Sequence, residues 1–183
     1  MASNAVNLGS GYASGMFYHA PKGTALPTYP TETLAEAWEE VGYVAEDGIT
    51  WHHGRSATPL KDWSNTIRRQ LQDDPTGTVA VPVISTTEEV LKTMFGEDNV
   101  TATAATSGHG KLISVEVKEG VMSGEEAFLF LMKDGDDCFM LGTTAGFITA
   151  LDDISFTPGS VINWGATVSA SAWTFMKDDG QTI

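Results

Sequence analysis

The stretch AFLFLMKDGDDCFMLGTTAGFITA, residues 127–150, is the most informative part of this chain. It begins with a continuous apolar run, which is expected of a β-strand that is covered on both faces. Residues 133–137, KDGDD, then form a polar turn, and the chain returns as a second strand from Cys138 onward. Two strands joined by a short polar turn predict an antiparallel hairpin.

Alternation of apolar and polar residues extends the β pattern along the rest of the chain. It recurs in residues 76–85, in residues 111–118 and in residues 161–172. VGYVAEDGIT, residues 41–50, alternates around an Asp-Gly turn, which predicts a further β-hairpin. We therefore predict a mainly β chain, built as a β-sandwich or a partial barrel.

The clearest helix signal covers residues 86–96 and predicts one α-helix flanking the β structure. Thr86 and Glu89 have the spacing of a capping box, and Gly96 is typical of a helix C-terminus. The apolar residues between them form one stripe, which indicates core packing and not a ligand site. Residues 31–41 also fit a short helix, because their apolar residues recur at helical spacing.

Two segments stand out as irregular. Residues 1–30 are rich in Gly, Ser, Ala and Pro, which is typical of an extended N-terminal arm. This arm carries aromatic residues such as Phe17 and Tyr18, and a purely disordered tail would have few of them. Such anchors are explained if the arm docks on its own domain or on a neighbouring subunit. Residues 52–65 are a polar long loop, and loops of this length are usually functional.

Bulk composition excludes several classes of protein. The length of 183 residues favours one domain, residues 1–183. The net charge of −14 argues against a protein that grips nucleic acid or an anionic membrane surface. Cys138 is alone, so the chain has no intramolecular disulfide. We see no signal peptide, and no window approaches the length of a membrane span.

No motif in the sequence carries recognisable chemistry. His19, His52, His53 and His109 lack the spacing of known metal motifs, and adjacent histidines on a strand point to opposite faces. The acidic run at residues 134–137 lacks the later glutamate of a calcium-binding loop. We therefore expect no catalytic residue, no cofactor-binding residue and no metal ligand.

Six segments in fixed order do carry a resemblance to a known family. They are GMFYHAPKGTALPT, VGYVAEDGIT, LKDWSNTIRR, TTEEVLKTMFGEDNVT, AFLFLMKDGDD and DDISFT. Together they resemble the major tail tube protein (major tail protein) of long, non-contractile-tailed bacteriophages. The resemblance covers roughly residues 15–157. It departs at residues 60–65, where the family has a more glycine-rich segment.

The resemblance implies a structural virion protein of the phage tail, made in the cytoplasm of the bacterial host. Six copies would form a ring, and rings would stack into a hollow tube through which the genome passes. The arm and the long loop would make the contacts between rings. Further partners would be the tape-measure, tail terminator and distal tail proteins. Six copies at −14 each carry −84, so DNA would slide past an acidic wall without specific binding.

The arm, the hairpin and the loop each supply candidate assembly contacts. These are Phe17, Tyr18, Tyr43, Trp51 and Trp63, and the alternative for each is an ordinary place in the core. Two rival functions stay open at this point. One is another ring-forming tail component, such as a terminator, a decoration protein or a contractile-system tube protein. The other is a ligand-binding or enzymatic β-barrel.

Overall fold

The computed structural model of the chain describes residues 16–54, 57–72, 77–118 and 124–179. These ranges contain one α-helix, α1 (Glu88–Phe95), followed by a 3-10 turn (Glu97–Asn99). The strands are β1 (Met16–Pro21), β2 (Glu39–Tyr43), β3 (Thr50–His53), β4 (Ala57–Lys61), β5 (Ile67–Gln72), β6 (Gly77–Val83), β7 (Val100–Thr103), β8 (Leu112–Val115), β9 (Glu126–Asp134), β10 (Asp137–Leu151), β11 (Trp164–Ala170) and β12 (Thr174–Asp178). Across the described ranges, no helix has both the length and the apolar character needed to cross a bilayer.

One eight-stranded antiparallel sheet organises the molecule. Its strand order is β2-β1-β9-β10-β11-β6-β3, and β12 pairs with β10 beside this path. The predicted hairpin of residues 127–150 is confirmed as β9 and β10 near the middle of the sheet. The mainly β fold with one α-helix is also confirmed. An isolated bridge between Val44 and Val83 brings the chain after β2 to the end of β6. The sheet curls there without closing into a barrel.

Both faces of this sheet are covered, which explains the unbroken apolar run in β9. Phe128 and Phe130 point into one core cluster, which also contains the buried residues of β6, β11 and α1. Leu129 and Leu131 point the other way into a second cluster with Leu34 and other residues. Side chains alternate between the faces of a strand, so a strand covered on both sides needs apolar residues at every position.

The arm prediction is wrong for residues 16–21, which form β1 between β2 and β9. Phe17 is fully buried and its ring stacks on Phe130 with centroids 4.8 Å apart. Tyr18 is 7% exposed and belongs to the second cluster. The sequence left open whether this segment docks on its own domain or on a neighbouring subunit. Residues 16–21 pack within their own domain. Residues 1–15 of the predicted arm lie outside the described residues.

Two local predictions between residues 31 and 50 are also wrong. Residues 31–37 form turns and irregular chain, and the strand β2 follows. Leu34 and Trp38 are nevertheless buried, so their apolar spacing reflected burial and not a helix. The strands β2 and β3 do not form a hairpin, because β2 pairs with β1 while β3 pairs with β6. Non-local pairing therefore overrides the Asp-Gly turn signal.

The predicted helix is confirmed with a small correction at its N-terminus. The N-cap is Thr87, whose hydroxyl accepts a hydrogen bond from the backbone N–H of Val90. Thr86 instead accepts a hydrogen bond from the indole N–H of Trp164 at 2.9 Å. Gly96 ends the helix with a φ of 88°, a conformation that favours glycine. The apolar stripe of α1 packs into the first core cluster, as predicted.

Candidate assembly surfaces

Residues 57–72 form a separate hairpin, hereafter the projecting hairpin, that stands apart from the main sheet. Its two strands, β4 and β5, pair with each other in a sheet of their own. The described side chains of residues 58–70 are exposed, apart from a partly buried Asp62. The prediction of a long loop over residues 52–65 is also wrong, since this segment contains the end of β3 and the whole of β4.

Asp62 organises the tip of the projecting hairpin. Its Oδ1 accepts hydrogen bonds from the Ser64 N–H at 2.9 Å, the Ser64 hydroxyl at 2.6 Å and the Thr66 N–H at 3.0 Å. The Arg68 guanidinium donates to Oδ2 at 2.6 Å. Donation from Ser64, Thr66 and Arg68 lowers the pKa of the Asp62 carboxyl. Asn65 adopts a left-handed φ of 60°, which asparagine tolerates well in turns.

Trp63 lies within this ordered turn and has no cover from its own chain. Its exposed fraction is 105%, the highest of the exposed large apolar residues. Leu60 and Ile67, on the two strands of the same hairpin, are also exposed, at 46% and 52%. Three exposed large apolar residues on one short segment are consistent with an interaction site. The structure therefore leaves Trp63 available as an assembly contact, and that role stays a prediction.

The projecting hairpin is also the positively charged part of an acidic molecule. It carries Lys61, Arg68 and Arg69 against Asp62, a net charge of +2 on a chain of −14. Within the part of the chain that the structure describes, the side chains of Lys61 and Arg69 have no acidic partner. Other lysines do have one: Lys92 and Lys111, for example, both bind the Glu88 carboxylate. Two of the three cations of the hairpin, Lys61 and Arg69, are thus available to another molecule, while Arg68 is paired with Asp62.

The edges of the main sheet carry two further predicted contacts. Trp51 lies on the edge strand β3, is 39% exposed, and stacks on His53 with ring centroids 5.3 Å apart. Tyr43 ends the opposite edge strand β2 and is 53% exposed. Tyr43, Met16 and Phe139 line an open groove of about 500 Å³ together with the turn after β2. Strand edges offer unpaired backbone groups to a neighbouring chain.

The five predicted contacts therefore divide into two groups. Tyr43, Trp51 and Trp63 lie at the surface, and their role in assembly is untested. Phe17 and Tyr18 lie in the core, so their side chains have little surface to offer a neighbouring subunit. The sequence signal that was missed at the hairpin is its turn chemistry, since Asp-x-Ser-Asn is typical of a tight turn.

The cysteine and the histidines that were considered as catalytic or metal-binding residues lie at scattered places in the fold. Cys138 is buried in β10 next to the second core cluster, which agrees with its interpretation as a small core residue. His52 and His53 lie on β3, an exposed edge strand. Among the described residues, one group of side chains has metal-binding geometry, formed by His19, Glu39 and Glu89.

Comparison with known proteins agrees with the resemblance. The sequence model of the family described as "Phage tail tube protein" matches residues 2–179. A search of curated proteins finds no match. One similar solved chain comes from the "Cryo-EM structure of the anti-feeding prophage cap (AFP tube terminating cap)". The two chains are 9% identical with a TM-score of 0.50, and the match covers 97% of this chain and 100% of the other. Such a likeness shows a shared fold alone.

Proposed function

This chain belongs to the phage tail tube protein family, and from that premise we propose that six copies form a ring and that rings stack into a hollow tail tube. The tube would deliver the phage DNA, and the role of the chain would be structural and not catalytic. Family membership supports a place in the phage tail and self-assembly with other tail proteins. The observation that carries the finer proposal is the projecting hairpin.

Several properties of the projecting hairpin contribute little to the stability of a folded monomer. A two-stranded hairpin is marginally stable alone, and this one is not covered by the main sheet. Its tip exposes a tryptophan, a residue type that often dominates the binding energy of interfaces. These properties fit a segment that docks on a second copy of the chain, where Trp63 and the apolar residues beside it would become buried.

Charge supports a second copy as the partner. The hairpin carries +2, so the rest of the chain carries −16. A positive projection on a strongly acidic molecule is complementary to the surface of an identical neighbour. Opposite charges also steer association and set its orientation, and both effects weaken as salt is added. Lys61 and Arg69 are the side chains that would make this contact.

The acidic remainder of the chain fits the passage of DNA. Phosphate binding requires a surplus of lysine and arginine, and this chain has 10 of them against 24 acidic residues. Acidic residues within about 8 Å of the DNA would repel phosphates at physiological salt. An acidic lumen would therefore let DNA move without sticking. Tape-measure, tail terminator and distal tail proteins would meet the tube inside and at its ends.

Negative-stain electron microscopy of the purified full chain, concentrated at neutral pH, tests this proposal. Hollow tubes or stacks of six-fold rings are the expected result. Rings that never stack would indicate a terminating component instead. A chain that stays monomeric even when preformed tail fragments are supplied as seeds would contradict the proposal.

Charge reversal tests whether the projecting hairpin makes the contact. The double variant Lys61→Glu and Arg69→Glu should slow or abolish tube formation while the subunit stays folded. The matched control is Lys22→Glu with Lys118→Glu, which gives the same total charge but changes lysines in exposed ion pairs elsewhere. If both variants assemble equally slowly, the effect comes from net charge and the hairpin contact is excluded.

A further inference from the structure

His19 is the centre of a group of side chains that the proposed function does not use. It lies on β1, directly opposite Glu39 of β2 in the strand register. Its ring faces the side of the sheet on which α1 packs, and Glu89 in the first turn of α1 reaches the same place. One ring nitrogen of His19 and carboxylate oxygens of Glu39 and Glu89 all lie within 4.8 Å of one another.

The hydrogen bond at the other ring nitrogen fixes the chemistry of His19. Its Nδ1 lies 2.9 Å from Oε2 of Glu126. An ionised carboxylate only accepts hydrogen bonds, so Nδ1 must carry the proton of a neutral ring. The lone pair of a neutral ring is then on Nε2, the ring nitrogen on the side of Glu39. A histidine held by a carboxylate in this way is the usual arrangement behind a metal ligand.

Nε2 has no hydrogen-bond partner in the part of the chain that the structure describes, although this atom is buried. The nearest acidic oxygen is Oε2 of Glu39, at 3.9 Å, which is too long for a hydrogen bond. Buried polar atoms normally have a partner, so an unpartnered one calls for a ligand, an ion or a water. Three carboxylates surround this imidazole, those of Glu39, Glu89 and Glu126.

These carboxylates have few basic neighbours. Among the described residues, no lysine or arginine forms a salt bridge with Glu39, Glu89 or Glu126. Lys92 interacts electrostatically with Glu89, but its ammonium group, like that of Lys111, binds Glu88, the residue next to Glu89. The site therefore combines one nitrogen lone pair with negative charge that is only partly compensated, and a divalent cation would satisfy both.

We propose that His19, Glu39 and Glu89 bind one divalent transition-metal ion, with Zn²⁺ as the best-suited metal, and that Glu126 orients the histidine. One imidazole and two carboxylates are common zinc ligands, and water would complete a tetrahedral set. Ligand atoms around zinc are about 3.4 Å apart, given bonds of about 2.1 Å. The candidate ligand atoms are now up to 4.8 Å apart, and small rotations of the two glutamate side chains would bring them closer. Glu39 is exposed enough to move in this way.

Such an ion would tie the helix α1 to the edge strand β2. Because the ligands come from β1, β2 and α1, the folded chain would bind the metal and the unfolded chain would not hold these residues together. Binding would therefore raise the melting temperature, by about 5 °C when the metal is in hundredfold excess over its dissociation constant.

The test is titration of ZnCl₂ into the full chain, freed of metal by a chelator, followed by isothermal calorimetry. We expect one saturable equivalent for the wild type. His19→Gln and Glu89→Gln should each weaken the affinity at least about tenfold. Glu40→Gln is the matched control, because it removes the same charge from the next position of β2 without touching the site. Its affinity should equal that of the wild type.

Cobalt absorption separates a built site from loose association with surface acids. Co²⁺ bound by one nitrogen and three oxygens in a tetrahedral set should give an intense visible band, and Glu89→Gln should remove it. Since Glu89 is on the helix surface, this variant keeps the test valid if His19→Gln does not fold. The proposal is overturned by the lack of saturable binding in the wild type, by binding that survives both substitutions, or by an equal loss in Glu40→Gln.

Discussion

Two antiparallel hairpins of the molecule, β9–β10 and β4–β5, have opposite surroundings. In the hairpin of β9 and β10, the side chains of residues 127–131 are all buried, and each face of the strand packs into its own cluster. In the projecting hairpin of β4 and β5, nearly every described side chain is exposed. The same backbone pairing therefore serves the core in one place and the surface in the other.

This difference shows which interactions hold each hairpin. The buried hairpin is held by neighbours that are distant in sequence, namely β1 on one side and β11 and β12 on the other. The projecting hairpin is held by local hydrogen bonds around Asp62 and by its own ladder. Most of the folding free energy should therefore come from the first hairpin, and recognition should come from the second.

The largest expected effect is the loss of a core aromatic ring. Phe130 is 1% exposed and contacts the rings of Phe17 and Trp173. Phe130→Ala should lower the free energy of unfolding by about 3–5 kcal/mol, because burial is lost and a cavity remains. Urea denaturation followed by circular dichroism measures this change in the free energy of unfolding. Phe156→Ala, at an exposed position in an irregular segment, should change it by less than about 0.5 kcal/mol.

The next effect concerns the alkaline stability of the buried region. Burial, with smaller contributions from Glu40 and Tyr43, raises the pKa of Tyr18 to about 12 from its usual value of 10.0. Between these two pH values the unfolded chain releases a proton that the folded chain retains, so stability falls as the pH rises. The loss should be about 1 kcal/mol once solvent screening is allowed for.

Tyr18→Phe provides the comparison for this effect. The variant keeps the ring but cannot ionise, so its stability should decline less between pH 10 and pH 12 than that of the wild type. Difference absorbance at 295 nm between the two proteins should show one phenol that ionises at about pH 12. Identical stability profiles for the two proteins would contradict the assignment.

The same contrast between the hairpins explains what the sequence could predict. The run at residues 127–132 revealed a doubly covered strand because burial leaves a direct mark on composition. Ordered motifs revealed the family, which the match over residues 2–179 confirms. The strand β1 was missed because its glycine- and proline-rich flanks resemble an arm, while the partners that bury it lie more than a hundred residues away in β9.

The candidate sites depended on contacts that no local pattern contains. His19, Glu39 and Glu89 come from three elements, so no sequence spacing could indicate a metal site. The pairing of β4 with β5 was hidden because polar strands lack the apolar alternation that identifies a strand. Trp63 was one of five candidate contacts, but sequence alone could not separate an exposed anchor from a core residue.

A smaller effect is expected at the tip of the projecting hairpin. Asp62→Ala removes the acceptor for Ser64, Thr66 and Arg68, so the turn should loosen while the main sheet stays intact. Amide hydrogen exchange in residues 62–68 should become about tenfold faster, with no change in the midpoint of global unfolding. Asp62→Asn keeps one acceptor oxygen without the charge. Its exchange rate in residues 62–68 should lie between those of the wild type and of Asp62→Ala.

Acid should act on the same network. Because hydrogen bonds lower the pKa of Asp62, the carboxylate stabilises the folded tip fully at pH values above the usual aspartate range. An open tip has the ordinary aspartate pKa, so this stabilisation starts to fall in the usual aspartate range and is gone once the pH is below the lowered pKa of the folded tip. Exchange at the tip should therefore be constant above that range and accelerate progressively, beyond its intrinsic pH dependence, under more acidic conditions. Exchange that shows no such acceleration in acid would contradict the hydrogen-bond network.

The smallest effect on stability, and the largest contrast between stability and function, is expected at Trp63. Its ring has no contact to lose in the monomer, so Trp63→Ala should change the free energy of unfolding by less than about 0.5 kcal/mol. Tubes should nevertheless fail to form, as seen by electron microscopy. An aromatic anchor at an interface can contribute about 2 kcal/mol of binding free energy or more per copy. Phe156→Ala removes another exposed ring and should assemble normally.

If Trp63→Ala also forms normal tubes, the projecting hairpin does not dock through its tip, and its cations alone would have to account for any contact. If Trp63→Ala instead unfolds the subunit, the separation between the two hairpins fails, because the tip would then be supporting the core.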